Sequence, residues 1–164
     1  MKDLLDKLSS YNIFNYLLPG VLFSVIADKI TVYHIIQPNM ILGVFLYYFI
    51  GLLISRIGSL VVESVLKYIG FVSFASYSDF VATSKVDSKL ELLSEVNNMY
   101  RTFISLSLCL ILIKVFEYLS NKFQFVKDWQ VEIFIVSLLV LFLFSYKKQT
   151  AYITKRISTW NRKD

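Results

Sequence analysis

Four apolar stretches, Ile13–Ala27, Met40–Ile54, Phe103–Leu119 and Val131–Tyr146, take up most of the chain, and the last two are nearly unbroken. Helices built from LVLFLFSY or SLSLCLILI have no polar face to offer water, so they are expected to lie in lipid. Composition agrees, with 56% apolar and 16% aromatic residues. The predicted fold class is an all-α integral membrane protein. It has four transmembrane helices, an amphipathic cytoplasmic helix between spans two and three, and a basic C-terminal helical tail.

A helix needs about 20 residues to cross the hydrocarbon core. Met40–Val62 and Arg101–Ser120 supply that length, with polar residues only toward their ends. Gln130–Tyr146 is slightly short but is flanked by Trp129 and by Tyr146-Lys147-Lys148, the aromatic and cationic anchors of an interface. The first segment is interrupted by Pro19-Gly20 and cut short by Asp28-Lys29, so a kinked, tilted or re-entrant path is expected there. Pro19 leaves the Asn15 carbonyl without its usual helical donor. The chain divides into 1–62 with the first two spans, a cytoplasmic helical loop at 63–100, spans three and four at 101–146, and a basic tail at 147–164.

Lys and Arg near span ends stay on the cytoplasmic side. With the N-terminus inside, that side holds Lys2, Lys7, Arg56, Lys67, Lys85, Lys89, Arg101, Lys147, Lys148, Lys155, Arg156, Arg162 and Lys163. The other side holds only Lys29, Lys114, Lys122 and Lys127, so both termini are expected to be cytoplasmic. No cleavable signal peptide is expected, because no small-residue cleavage site follows the first apolar run.

In the long connector, Val86, Leu90, Leu93 and Val96 recur at helical spacing behind Ser84-x-x-Asp87, which predicts a capped amphipathic helix over Ser84–Tyr100. Its polar side, with Asp87, Glu91 and Glu95, suits either a solvated face or a subunit contact. The net charge of +5 resides entirely after Tyr146, where Lys147, Lys148, Lys155, Arg156, Arg162 and Lys163 face only Asp164. Ile153, Ile157 and Trp160 give this tail one apolar stripe. It can lie on anionic lipid headgroups, or several copies gathered in an oligomer can bind a polyanion such as single-stranded nucleic acid, with Trp160 and Tyr152 as stacking surfaces.

Within the spans, Gly51, Ser55 and Ser59 fall at intervals of four beside Gly58, a surface on which another helix approaches closely, in the same chain or another. Arg56 and Glu63 lie two turns apart, where snorkelling, a gate or an interhelical salt bridge accounts for a charge near membrane depth. Together with Asn15 these form the expected gate or interhelical contact set. Lys114, Glu117 and Glu132 are expected to pair across the short Ser120–Asp128 loop or to gather ions at an outer mouth.

Enzymatic chemistry is not expected. His34 has no second histidine or cysteine near it in sequence, Cys109 is expected to pack as a small apolar residue, and neither a metal cluster nor a phosphate loop is visible. No cofactor is implied. A secondary transporter is usually larger and internally repeated, which leaves a homo-oligomeric small transporter as the form compatible with this length. The leading expectation is a homo-oligomeric channel whose path runs along the axis of a ring of copies. The alternative is a non-conducting membrane anchor or sensor that recruits a soluble cytoplasmic partner.

Three segments, Leu8-Ser9-Ser10-Tyr11-Asn12-Ile13-Phe14-Asn15-Tyr16-Leu17-Leu18-Pro19-Gly20, Ile54-Ser55-Arg56-Ile57-Gly58-Ser59 and Glu95-Val96-Asn97-Asn98-Met99-Tyr100-Arg101-Thr102, resemble small bacterial multi-span proteins. The chain is similar to the membrane effectors of short anti-phage operons, with the Hailong-type channel effector first and the Kiwa membrane subunit second. That resemblance implies a bacterial inner-membrane location, a tetramer, and a single-stranded nucleic-acid or nucleotide signal made by a companion protein of the same operon. It makes the tail and Arg101 signal-binding positions and implies that opening depolarises the infected cell.

Overall fold

A computed structural model describes residues 12–161, and all the regular structure among them is helical. A π turn, Ile13–Leu17, leads into α1 (Leu18–Ile30). Helix α2 (Met40–Ile57) passes through a second π turn (Gly58–Val62) into α3 (Glu63–Tyr68). A short helix, α4 (Tyr77–Thr83), precedes α5 (Lys89–Lys122), α6 (Gln124–Asp128) and α7 (Gln130–Asn161). Four rods, Ile13–Ile30, Met40–Tyr68, Lys89–Lys122 and Gln130–Trp160, are long and apolar enough to cross a membrane, which makes the chain a multi-pass membrane protein by its architecture.

The first rod is continuous rather than re-entrant. Its π turn closes with the Leu18 N–H on the Ile13 carbonyl, and Pro19 then enters in the first turn of α1, where its fixed φ is tolerated. The Ser24 hydroxyl donates to the Gly20 carbonyl at 2.8 Å, so this buried polar group is satisfied within its own helix. Asn39 caps α2 by accepting from the Ile41 and Leu42 amides, and Asp28 accepts from the Ile35 amide at 3.0 Å, which orders the intervening loop.

The first two rods cross antiparallel through reciprocal glycines. A Cβ at Gly20 would fall on the Tyr47 carbonyl oxygen, and one at Gly51 on the Tyr16 carbonyl oxygen. Backbones at that separation exclude any side chain, which is how small residues bring lipid-embedded helices together. Helix α5 joins on the next face, where Ile54, Leu106 and Cys109 form the buried core with Phe23, Ile50, Ile57 and Leu110 around it. Ser105 donates to the Ile54 carbonyl at 2.7 Å, and Gly58 lies against Ser105 and the Arg101 carbonyl. The Gly51–Ser55–Ser59 surface thus finds partners within its own chain.

The amphipathic helix expected over Ser84–Tyr100 is not a separate element. Ser84 closes α4 instead, α5 begins at Lys89 with Asp87 accepting from the Lys89 amide, and the helix runs unbroken into the third span. Val86 and Leu93 are exposed, so the apolar stripe drawn through them does not pack. The second span continues as helix to Tyr68, past the Val62 end expected from the sequence. Helix α7 packs least closely of the four rods. None of its apolar window is buried, and Phe142 meets Phe49 at a ring separation of 6.3 Å.

A candidate functional site where three helices share one carboxylate

The second π turn decides where Glu63 points. Its N–H reaches five residues back to the Gly58 carbonyl, so the turn holds one residue more than an α turn and carries Glu63 out of register with Arg56. Arg56 makes no ion pair among the described residues. Glu63 instead turns toward α5 and α7, and its side chain is only 12% exposed.

Two cations converge on it. Arg101 of α5 places Nη1 2.5 Å from Oε2, and Lys148 of α7 places Nζ 3.3 Å from Oε1. The Lys148 ammonium also donates to the Ser59 carbonyl oxygen and, at 2.9 Å, to the Ser59 hydroxyl. Its three protons are therefore all engaged on the second rod, and one carboxylate links three spans. By helical rise, Met40 to Glu63 measures about 35 Å, Arg101 to Lys122 about 32 Å and Gln130 to Lys148 about 27 Å. Each charge thus lies about one hydrocarbon thickness from the far end of its rod.

At and beyond this junction four lysines rest on aromatic rings. Lys148 Nζ lies 5.7 Å from the Tyr152 ring, Lys155 lies 5.0 Å from Tyr77, Lys85 lies 4.4 Å from Trp160, and Lys67 lies 4.9 Å from Phe74. At exposed positions such contacts contribute about 0.5–1 kcal/mol each, less than a well-formed ion pair to phosphate. Lys147 and Lys155 also share an open face of α7 with Tyr146, Thr150, Ala151, Thr154 and Ser158.

Comparison with family models, with curated proteins and with solved structures finds no match.

Of the residues expected to act, Glu63, Ser59, Arg101 and Lys148 come together. Gly51, Ser55 and buried Asn15 belong to the helix-packing core. Lys155 and Trp160 touch the connector, Lys147 and Arg156 make no ion pair among the described residues, and Arg162 and Lys163 lie outside the described residues, as do Lys2 and Lys7. Sequence reasoning missed Lys85 and Tyr77 as neighbours of the tail, because ring–cation contacts between distant segments leave no periodic trace. At the opposite end, Lys114 and Glu117 pair at 2.6 Å within α5, and Glu117 also accepts from the Val32 amide at 2.8 Å. That carboxylate ties α5 to the first loop and keeps Lys114 within its own helix, so Glu132 across the loop makes no ion pair among the described residues.

Proposed function

We propose that this chain is a homo-oligomeric inner-membrane channel or effector of bacterial anti-phage defence, gated from the cytoplasm by a polyanionic nucleic-acid or nucleotide signal. The observation that carries the reading is the sharing of Glu63 between Arg101 and Lys148. Lys148 belongs at once to the basic end of α7 and to a contact with the second span. A polyanion gathered by Lys147, Lys155 and Arg156 competes with Glu63 for that ammonium, which gives a charge signal outside the bilayer a direct mechanical route to the spans.

The core of Ile54, Leu106 and Cys109 is filled by side chains, so conduction in this reading runs between copies along a symmetry axis. Opening then depolarises the cell. The exposed stripe of Ile153 and Ile157 favours a second reading, in which the tail recruits a soluble partner and nothing is conducted. Purified protein in liposomes separates the two. The proposal expects ion flux that responds to a short oligothymidylate, together with loss of oligonucleotide binding when Lys155, Arg156, Arg162 and Lys163 are reversed to Glu. Oligonucleotide affinity unchanged by those reversals contradicts the signal, and absence of flux in any condition contradicts the channel.

A further inference from the structure

Two of the ring–cation contacts are reciprocal. The connector supplies Lys85 to Trp160 of the tail at 4.4 Å, and the tail supplies Lys155 to Tyr77 of the connector at 5.0 Å. Neither lysine forms an ion pair among the described residues, although Asp79 and Asp87 lie close to the rings or lysines in sequence. Both cations are thus held by an aromatic face where a carboxylate would hold them more firmly. Because both contacts join the same two segments, losing one loosens the other.

We infer that residues 77–85 and the end of α7 form a latch, closed by these two exchanged lysine–aromatic pairs, which a phosphate polyanion opens by drawing the lysines off their rings. A phosphate oxygen offers Lys85 and Lys155 a full charge and a short hydrogen bond in place of a ring quadrupole. Lys147 and Arg156, which make no ion pair among the described residues, raise the local concentration of the anion beside the latch. Lys148 sits about two turns before Lys155 on the same helix and is held to Glu63. Release of the latch therefore unloads the helix that carries the junction ammonium. The opening step rests on the polyanion reading above, while the closed latch does not.

The chain has two tryptophans, so Trp129→Phe leaves Trp160 as the single indole reporter. In nanodiscs of uncharged phosphatidylcholine, Lys85→Met is expected to shift Trp160 emission. Tyr77→Leu, which removes no group touching Trp160, is expected to shift it in the same direction. A short oligothymidylate and inorganic polyphosphate are each expected to produce that shift in the Trp129→Phe protein. With the latch already open, Tyr77→Leu is expected to bind either probe about two- to fivefold more tightly.

Trp160 emission unmoved by Tyr77→Leu overturns the latch. Weaker probe binding by Tyr77→Leu also overturns it, by making the ring part of the binding surface. A response confined to phosphatidylserine nanodiscs replaces the soluble polyanion with a lipid surface and overturns the opening step. If Tyr77→Leu moves the emission but neither probe binds, the latch stands and the polyanion signal falls, for the opening step and the proposed function alike.

Discussion

The first three rods and the fourth are held by different means. Gly20 and Gly51 let backbones touch, Ser105 bonds a carbonyl across the interface, and Ile54, Leu106 and Cys109 fill what remains. None of the apolar window of α7 is buried, and its directional contacts to the others among the described residues are one ring pair at Phe142, the Lys148 ammonium and the ring contacts of Lys155 and Trp160. Shape holds the first group, and charge and rings hold the second. Close packing has few alternative arrangements, whereas a charge contact yields to any competing charge, so α7 is the element suited to moving against a fixed three-helix body.

The sharpest way to break this contrast is to crowd the glycine crossing. Gly51→Leu drives a side chain into the Tyr16 backbone, and loss of monodisperse, folded protein in detergent is expected, a destabilisation of about 3 kcal/mol or more. An equally stable variant would show that the crossing is looser than described. Next in size is Glu63→Gln, which leaves two partly buried cations without their counter-charge and is expected to cost up to about 3 kcal/mol. Its effect should shrink when Lys148→Met is already present, a coupling that a double-mutant cycle in detergent unfolding reads directly.

Ser105→Ala removes one interhelical hydrogen bond and is expected to cost about 0.6–1.7 kcal/mol in the same unfolding assay. Phe142→Ala removes the ring contact between α7 and Phe49, with an expected loss of about 0.5–1.5 kcal/mol beyond its area burial. Together the four variants rank the two kinds of attachment. If Phe142→Ala proved as damaging as Gly51→Leu, the division into a body and a movable helix would not hold.

The spans were legible because lipid imposes a strong rule: unbroken apolar length with charged and aromatic ends marks each rod, as at Trp129 and Lys147. The small residues of the second span also announced a close contact, although nothing in one sequence says which helix makes it. The connector was harder to read. Val86 and Leu93 keep helical spacing with Leu90 and Val96 yet are exposed, since spacing records a face and not what covers it. The charge junction was half visible, as Glu63 stood out near membrane depth but was set beside Arg56, while Arg101 entered only as the start of the third span and as a signal-binding position implied by the resemblance. Their meeting depends on the π turn at Gly58–Val62, an extra backbone residue that apolar periodicity does not encode.

Lys148, held by Glu63, joins the basic end of α7 to the three packed rods. Ion flux through proteoliposomes, measured with and without a short oligothymidylate for the native chain and for Glu63→Gln, tests it most directly. The oligonucleotide is expected to change flux through the native chain, and Glu63→Gln is expected to abolish this response while the oligonucleotide still binds. An oligonucleotide response undiminished in Glu63→Gln would contradict it.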